Sequence, residues 1–301
     1  MKKLFFLLSV SLIYISCEKV IPFEGDVNTP KLVINSVFES DSTFKVHVSS
    51  SRSVIDTSSF ENIDDAVVTI KDGNGNVIEV LNHVVNGFYK GQVLPEENTT
   101  YILEVNHPNY AKITASDSLP SPIIINSVDT STILDPINGN RLRISMNFDD
   151  PENNQNYYLL ETYSVNEYLI VENLDTIEYE LDTTKQFMVL TDEVFQNGGS
   201  PWRDQGLFND LLFNGQNKTL EIEIPNENWS GSEDGYDWSY KTLTLRLYLH
   251  NITISYYYYR TSLELFQNAS GNPFAQPVQV YSNIENGFGV FAGSQISFFD
   301  L

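Results

Sequence analysis

Arg141-Leu142-Arg143-Ile144-Ser145-Met146-Asn147-Phe148 carries an apolar side chain at every second position and a polar one between. Successive side chains of a strand point to opposite faces, so this period predicts a strand with one face buried and the other wet. The same beat returns downstream. Leu220, Ile222 and Ile224 alternate with Glu221 and Glu223, and Leu243, Leu245, Leu247 and Leu249 alternate with Thr244, Arg246 and Tyr248. Such faces belong to antiparallel sheet. Upstream, Phe44, Val46 and Val48 alternate with Lys45 and His47, and Ala66, Val68 and Ile70 lead into Asp72-Gly73-Asn74-Gly75-Asn76 before Val77 to Leu81 return. Glycine and asparagine tolerate the positive φ of a tight turn, so that pentapeptide predicts a hairpin. Tyr101, Leu103 and Val105 then alternate with Ile102 and Glu104 ahead of a turn at His107-Pro108-Asn109.

Strands at this spacing, with no helical pattern among them, predict an all-β chain. A small sandwich is expected over residues 31–120, with its boundary at Ser118-Leu119-Pro120-Ser121-Pro122, and a second antiparallel β domain over 121–301. One short helix is expected near the C-terminus, because Tyr256, Tyr259, Leu263 and Phe266 recur at three- and four-residue steps and Ser255 would cap the start. The segment from Gly271 to Gly293 is dense in glycine, proline and asparagine and reads as a loop of fixed shape.

The first seventeen residues set the compartment. Lys2 and Lys3 precede an apolar run from Leu4 to Ile15, and Ser16 stands directly before Cys17. This is the pattern of a secretion signal, and the run is shorter than the ~20 apolar residues that span a bilayer. Residues 1–16 are therefore expected to be a removed signal peptide. Cys17 is the single cysteine, so it has no intramolecular disulfide partner. Its setting resembles the lipobox of bacterial lipoproteins, which implies a lipid anchor on Cys17. Residues 17–30, with two prolines and little periodicity, would be the tether of that anchor.

Charge and motif spacing narrow the chemistry. The formal net charge of -23 becomes -25 once Lys2 and Lys3 leave with the signal. So acidic a surface repels phosphate backbones, which excludes nucleic acid as a partner, and membrane attachment falls to the lipid on Cys17. The four histidines are scattered without metal-ligand spacing. There is no nucleophile elbow and no glycine-rich phosphate loop. No catalytic residue, metal or cofactor is expected. Asp72, Asn74 and Asn76 have calcium-loop spacing, but Val77 stands where such a loop needs glycine, and the hairpin accounts for the same residues. Asp149, Asp150 and Glu152 read as a solvated acidic turn.

Two sets of residues stand out for recognition. Trp229, Tyr236 and Trp238 lie in a glycine-rich acidic stretch read as a loop, where they would stack on a ligand or fill a partner's pocket. The tripeptides at Ser42, Ser118, Thr176 and Thr183 resemble the O-glycosylation site of Bacteroidetes, and Ser118, at the expected boundary, would be the most exposed.

A resemblance covers the whole mature chain. Asn272-Pro273-Phe274, Pro277-Val278, Tyr281-Ser282-Asn283-Ile284 and Asn286-Gly287-Phe288-Gly289-Val290-Phe291 resemble the C-terminal signature of the Bacteroidetes lipoproteins known as the domain-of-unknown-function 4249 family. Lys31 to Asn35 is similar to the family's first strand, Asp65 to Ile70 to a strand of its immunoglobulin-like or prealbumin-like part, and Asn209 to Gly215 to a mid-chain element. The resemblance implies an immunoglobulin-like or prealbumin-like N-terminal sandwich in an outer-membrane lipoprotein, often paired with a TonB-dependent receptor and without catalytic residues. The expected function is that of a non-catalytic accessory to nutrient capture, anchored in the outer membrane on the cell surface rather than the periplasmic face. A structural spacer in an envelope assembly is the alternative.

Overall fold

The computed structural model describes residues 29–301 except 54–55, 57–58, 135–138, 153, 173–174, 196–201, 226–228, 234–235, 271–273 and 277. Nineteen strands and one helix follow in chain order: β1 (Leu32–Phe38), β2 (Lys45–Ser50), β3 (Val67–Asp72), β4 (Val77–Val80), β5 (Asn82–Val85), β6 (Phe88–Lys90), β7 (Thr100–Asn106), β8 (Ile113–Ser118), β9 (Ile125–Ile133), β10 (Arg141–Asp149), β11 (Tyr157–Glu172), β12 (Asp175–Lys185), β13 (Met188–Leu190), β14 (Trp202–Arg203), β15 (Gly206–Asn209), β16 (Asn217–Pro225), β17 (Trp229–Glu233), β18 (Tyr236–Ile252), α1 (Ile254–Ala269) and β19 (Phe288–Asp300). Among the described residues the chain is all-β, as the alternation predicts, with a single helix near the C-terminus, as the three- and four-residue steps predict.

The hydrophobic faces find two partners. Leu32, Ile34, Phe44, Val46 and Val48 of one sheet meet Val68, Ile70, Tyr101, Leu103 and Val105 of the four-stranded sheet β4-β3-β7-β8 in the first core. Ile144, Met146 and Phe148 of β10 and Leu220, Ile222 and Ile224 of β16 meet Tyr158 and Leu160 of β11 and Leu245, Leu247 and Leu249 of β18 in the second. The hairpin over Asp72–Asn76 forms as expected. The Asp72 carboxylate accepts the backbone N–H of Asn74 at 2.9 Å and of Asn76 at 2.8 Å, together with the Asn76 side-chain amide at 2.9 Å. Those bonds hold its pKa below the usual carboxylate range.

The strand that joins the cores is one the composition conceals. Phe288–Asp300 reads partly as loop, yet it forms the thirteen-residue β19. One edge of β19 pairs antiparallel with β18, and the other pairs parallel with β1, Val33 opposite Phe288 and Phe38 opposite Gly293. A ten-stranded sheet results, ordered β12-β11-β18-β19-β1-β2-β6-β5 with β15 and β17 branching from it. Ile284 and Phe291 enter the first core, where Phe291 lies 4.8 Å from Phe38 between ring centroids.

Two local expectations are overturned. Ser255 does not cap the helix: the N-cap is Thr253, which makes no side-chain cap bond. Both hydroxyls turn instead to Asp117 on β8, Thr253 Oγ1 donating at 2.6 Å and Ser255 bonding alongside, so a buried carboxylate of the first sandwich outcompetes the helix end. Asp150 is not in a solvated turn. It is 5% exposed, its carboxylate accepts the Tyr158 hydroxyl and, at 2.8 Å, the Gly215 N–H. The mid-chain element around Asn209 to Gly215 supplies that N–H and a second buried acid, Asp210, which accepts the Asn156 N–H at 2.8 Å. Burial pushes the Asp150 pKa up, and the Tyr158 phenol rises with it.

Candidate functional site

Helix α1 lies across the face of the large sheet opposite the second core. Tyr256 and Tyr257 pack on Tyr157, Leu159, Leu207 and Ile252. A cleft of about 840 Å³ opens there, bounded by Asn35 to Val37 of β1, by α1, by Lys185 and Phe187, and by Trp202 to Gln205. Aromatic rings form its walls: Phe187 and Trp202 are 59% and 40% exposed, and Tyr256 and Tyr259 rise from the helix. A binding cavity of this kind joins apolar surface to a few fixed polar groups.

The polar groups are held in place by one another. Arg203 pairs with Glu264 of α1 and Arg260 donates to the Gln205 side-chain oxygen, tying the β14 segment to the helix at two points. Arg260 also donates to the Tyr256 hydroxyl at 2.9 Å, and the Tyr259 hydroxyl donates to Asn35 Oδ1 at 3.3 Å. Lys185 bridges Glu161 at 2.7 Å and Asp204 at 3.3 Å.

Behind Lys185 runs a buried polar relay. His250 Nδ1 lies 3.1 Å from Ser294 Oγ and Nε2 lies 3.6 Å from Glu161 Oε2. Burial alone would raise the Glu161 pKa, but His250 and Lys185 outweigh it and hold the carboxyl at about 2. Half-buried Glu39, beside Ser294, is raised by burial. Serine, histidine and carboxylate in line resemble a nucleophilic triad, yet Ser294 is 1% exposed within β19, which gives its hydroxyl no path to a substrate. The relay ties three elements together. No group of three or more metal-ligating side chains is gathered among the described residues.

The residues singled out from sequence fall elsewhere. Cys17, the signal peptide and nearly all of the tether lie outside the described residues, as do Asn272, Pro273 and Pro277 of the signature. Trp229, Tyr236 and Trp238 are not in a loop: β17 and β18 form a ribbon with Trp229 opposite Tyr240 and Tyr236 opposite Glu233. Together with β11 and β12 this ribbon extends beyond the second core. Tyr168 stands opposite Tyr240, Ile170 opposite Trp238 and Glu172 opposite Tyr236, and residues directly opposed share a face. Trp238 lies across Gly231, which has no Cβ to obstruct the indole. Tyr236 is 39% exposed and stays available for contact. Among the glycosylation candidates, Ser42, Thr176 and Thr183 are exposed, whereas Ser118 ends β8 half-buried, since the last rung of a ladder holds it against Thr100.

The cleft itself was missed from sequence. Phe187, Trp202, Arg203, Arg260 and Glu264 come from segments separated in the chain, and the one local signal was the tyrosine run Tyr256 to Tyr259, which reads as helix face. The signature, by contrast, is a seam: the Asn283 side chain donates to the Phe291 carbonyl at 2.7 Å and accepts its N–H at 3.1 Å. Glu285 bridges to Thr114 of β8 through both backbone and side chain. No curated protein matches the chain. The family model described as a domain of unknown function, DUF4249, matches residues 18–297, and the chain belongs to that family.

Proposed function

We propose that the chain is a non-catalytic binding or accessory lipoprotein of a bacterial outer membrane, held by lipid on Cys17 and working beside a TonB-dependent receptor in nutrient capture. The observation that carries this reading is the cleft beneath α1, which joins exposed aromatic rings to ion-paired polar groups in one binding volume. The leader Lys2 to Cys17 supports the anchor, and the signature residues support the receptor association. Labelled palmitate should enter the wild-type protein and not Cys17→Ala, and protease added to intact cells should cleave the body. A mild non-glycosidic detergent extract should yield the receptor with the protein. Protection in intact cells with no receptor recovered would overturn the reading. One observation favours a second: a single sheet shared by both cores makes a stiff body, suited to a spacer in an envelope assembly. A receptor recovered with a bound small molecule rejects the spacer.

A further inference from the structure

We infer that the cleft beneath α1 binds a neutral saccharide. This inference rests on the binding role proposed above and assigns it a ligand class.

The cations at the cleft are already engaged, two by carboxylates and the third by neutral oxygens. Lys185 serves Glu161 and Asp204, Arg203 serves Glu264, and Arg260 serves the Gln205 oxygen and the Tyr256 hydroxyl. An anionic ligand would have to displace a carboxylate from Lys185 or Arg203, or break the Arg260 bonds to Gln205 and Tyr256 that tie β14 to α1, and a cationic one would have to displace a cation from Glu161, Asp204 or Glu264. Neither gains much net Coulomb energy. A hydroxyl group both donates and accepts, so it can bridge a carboxylate and a guanidinium without breaking the pair. A ligand made of hydroxyls on a compact ring therefore meets such a lattice of matched charges best.

The rings supply the other half of the recognition. Phe187 and Trp202 present exposed faces at the mouth, and the C–H face of a sugar ring is an apolar plane of similar size. A peptide would bind most readily by adding a strand, but β1 is paired on both sides, with β19 and β2, and the edge strand at the cleft, β14, is only two residues long.

The test uses the full lipidated chain in a detergent without a sugar headgroup. It is presented to arrays of neutral oligosaccharides, uronic-acid oligosaccharides and short peptides. Saturable binding to neutral members, insensitive to a tenfold rise in salt, is expected. Trp202→Ala and Phe187→Ala should each weaken it by about tenfold with the melting temperature unchanged. Phe187 is 59% exposed, so its variant keeps the fold even if the Trp202 variant does not. Binding confined to acidic glycans or to peptides would overturn the saccharide assignment and leave the binding role standing. Silence across all neutral oligosaccharides would overturn it as well, and receptor co-purification separately judges the role beneath it.

Discussion

Gly289 holds a φ of 102° while a Cβ there would overlap the Ile34 carbonyl oxygen of its partner on β1. Gly289→Ala combines a disfavoured backbone with a clash against main chain that has nowhere to move, and should cost about 3 kcal/mol or more in chemical denaturation. Gly75→Ala is the control: its φ of 87° is equally positive but nothing lies within 4 Å, so a cost near 1 kcal/mol is expected. Carboxylates set the response to acid. Glu104 is held at about 2 by bonds from Lys112, Lys71 and Asn106, against an ordinary 4.5. A depressed folded value stabilises the fold above pH 4.5, and that contribution fades as pH falls toward 2. Glu104→Gln should lower stability by about 1 kcal/mol at neutral pH, with the difference from wild type vanishing across that window in melts at stepped pH. Asp150 and Asp117 work in the opposite sense, since burial raises both and their ionisation opposes folding above the usual carboxylate range.

The strands legible in the sequence set a wet face against a buried one. Arg141 to Phe148 and Leu243 to Leu249 alternate because one side meets the second core and the other does not. Legibility failed where that condition fails. Tyr157 to Leu160 is buried on both faces, between the second core and α1, so β11 carries no alternation at its start. The opposite case is the ribbon of β17 and β18, whose glycine and acidic residues imitate a loop because it leaves the core. Here Gly231 is the informative position. Gly231→Val would drive a side chain into the Trp238 indole, and the expected result is red-shifted tryptophan emission with an unchanged unfolding midpoint; a large loss of stability would show that the ribbon is part of the core. The cleft under α1 left no local trace, because its residues meet only through folding: Arg203 reaches Glu264 across 61 positions and Arg260 reaches Gln205 across 55.

At the level of the whole molecule, the expected boundary near Ser118 to Pro122 separates two cores but not two independent sheets. Residues 29–120 alone would lack β19 as well as Ile284 and Phe291, leaving one edge of β1 open. That fragment should give a disordered circular dichroism spectrum, and adding a peptide of residues 281–301 should restore strand signal; a fragment that folds cooperatively without the peptide would show that the closing strand is dispensable. The shared sheet also orders events in time. Residues 33–38 take their neighbours from 288–293, so β1 waits for a strand made much later in the chain. Until β19 has been made, the first core lacks Ile284 and Phe291, and a chain threading through a narrow pore during synthesis would present no finished barrier to its own passage.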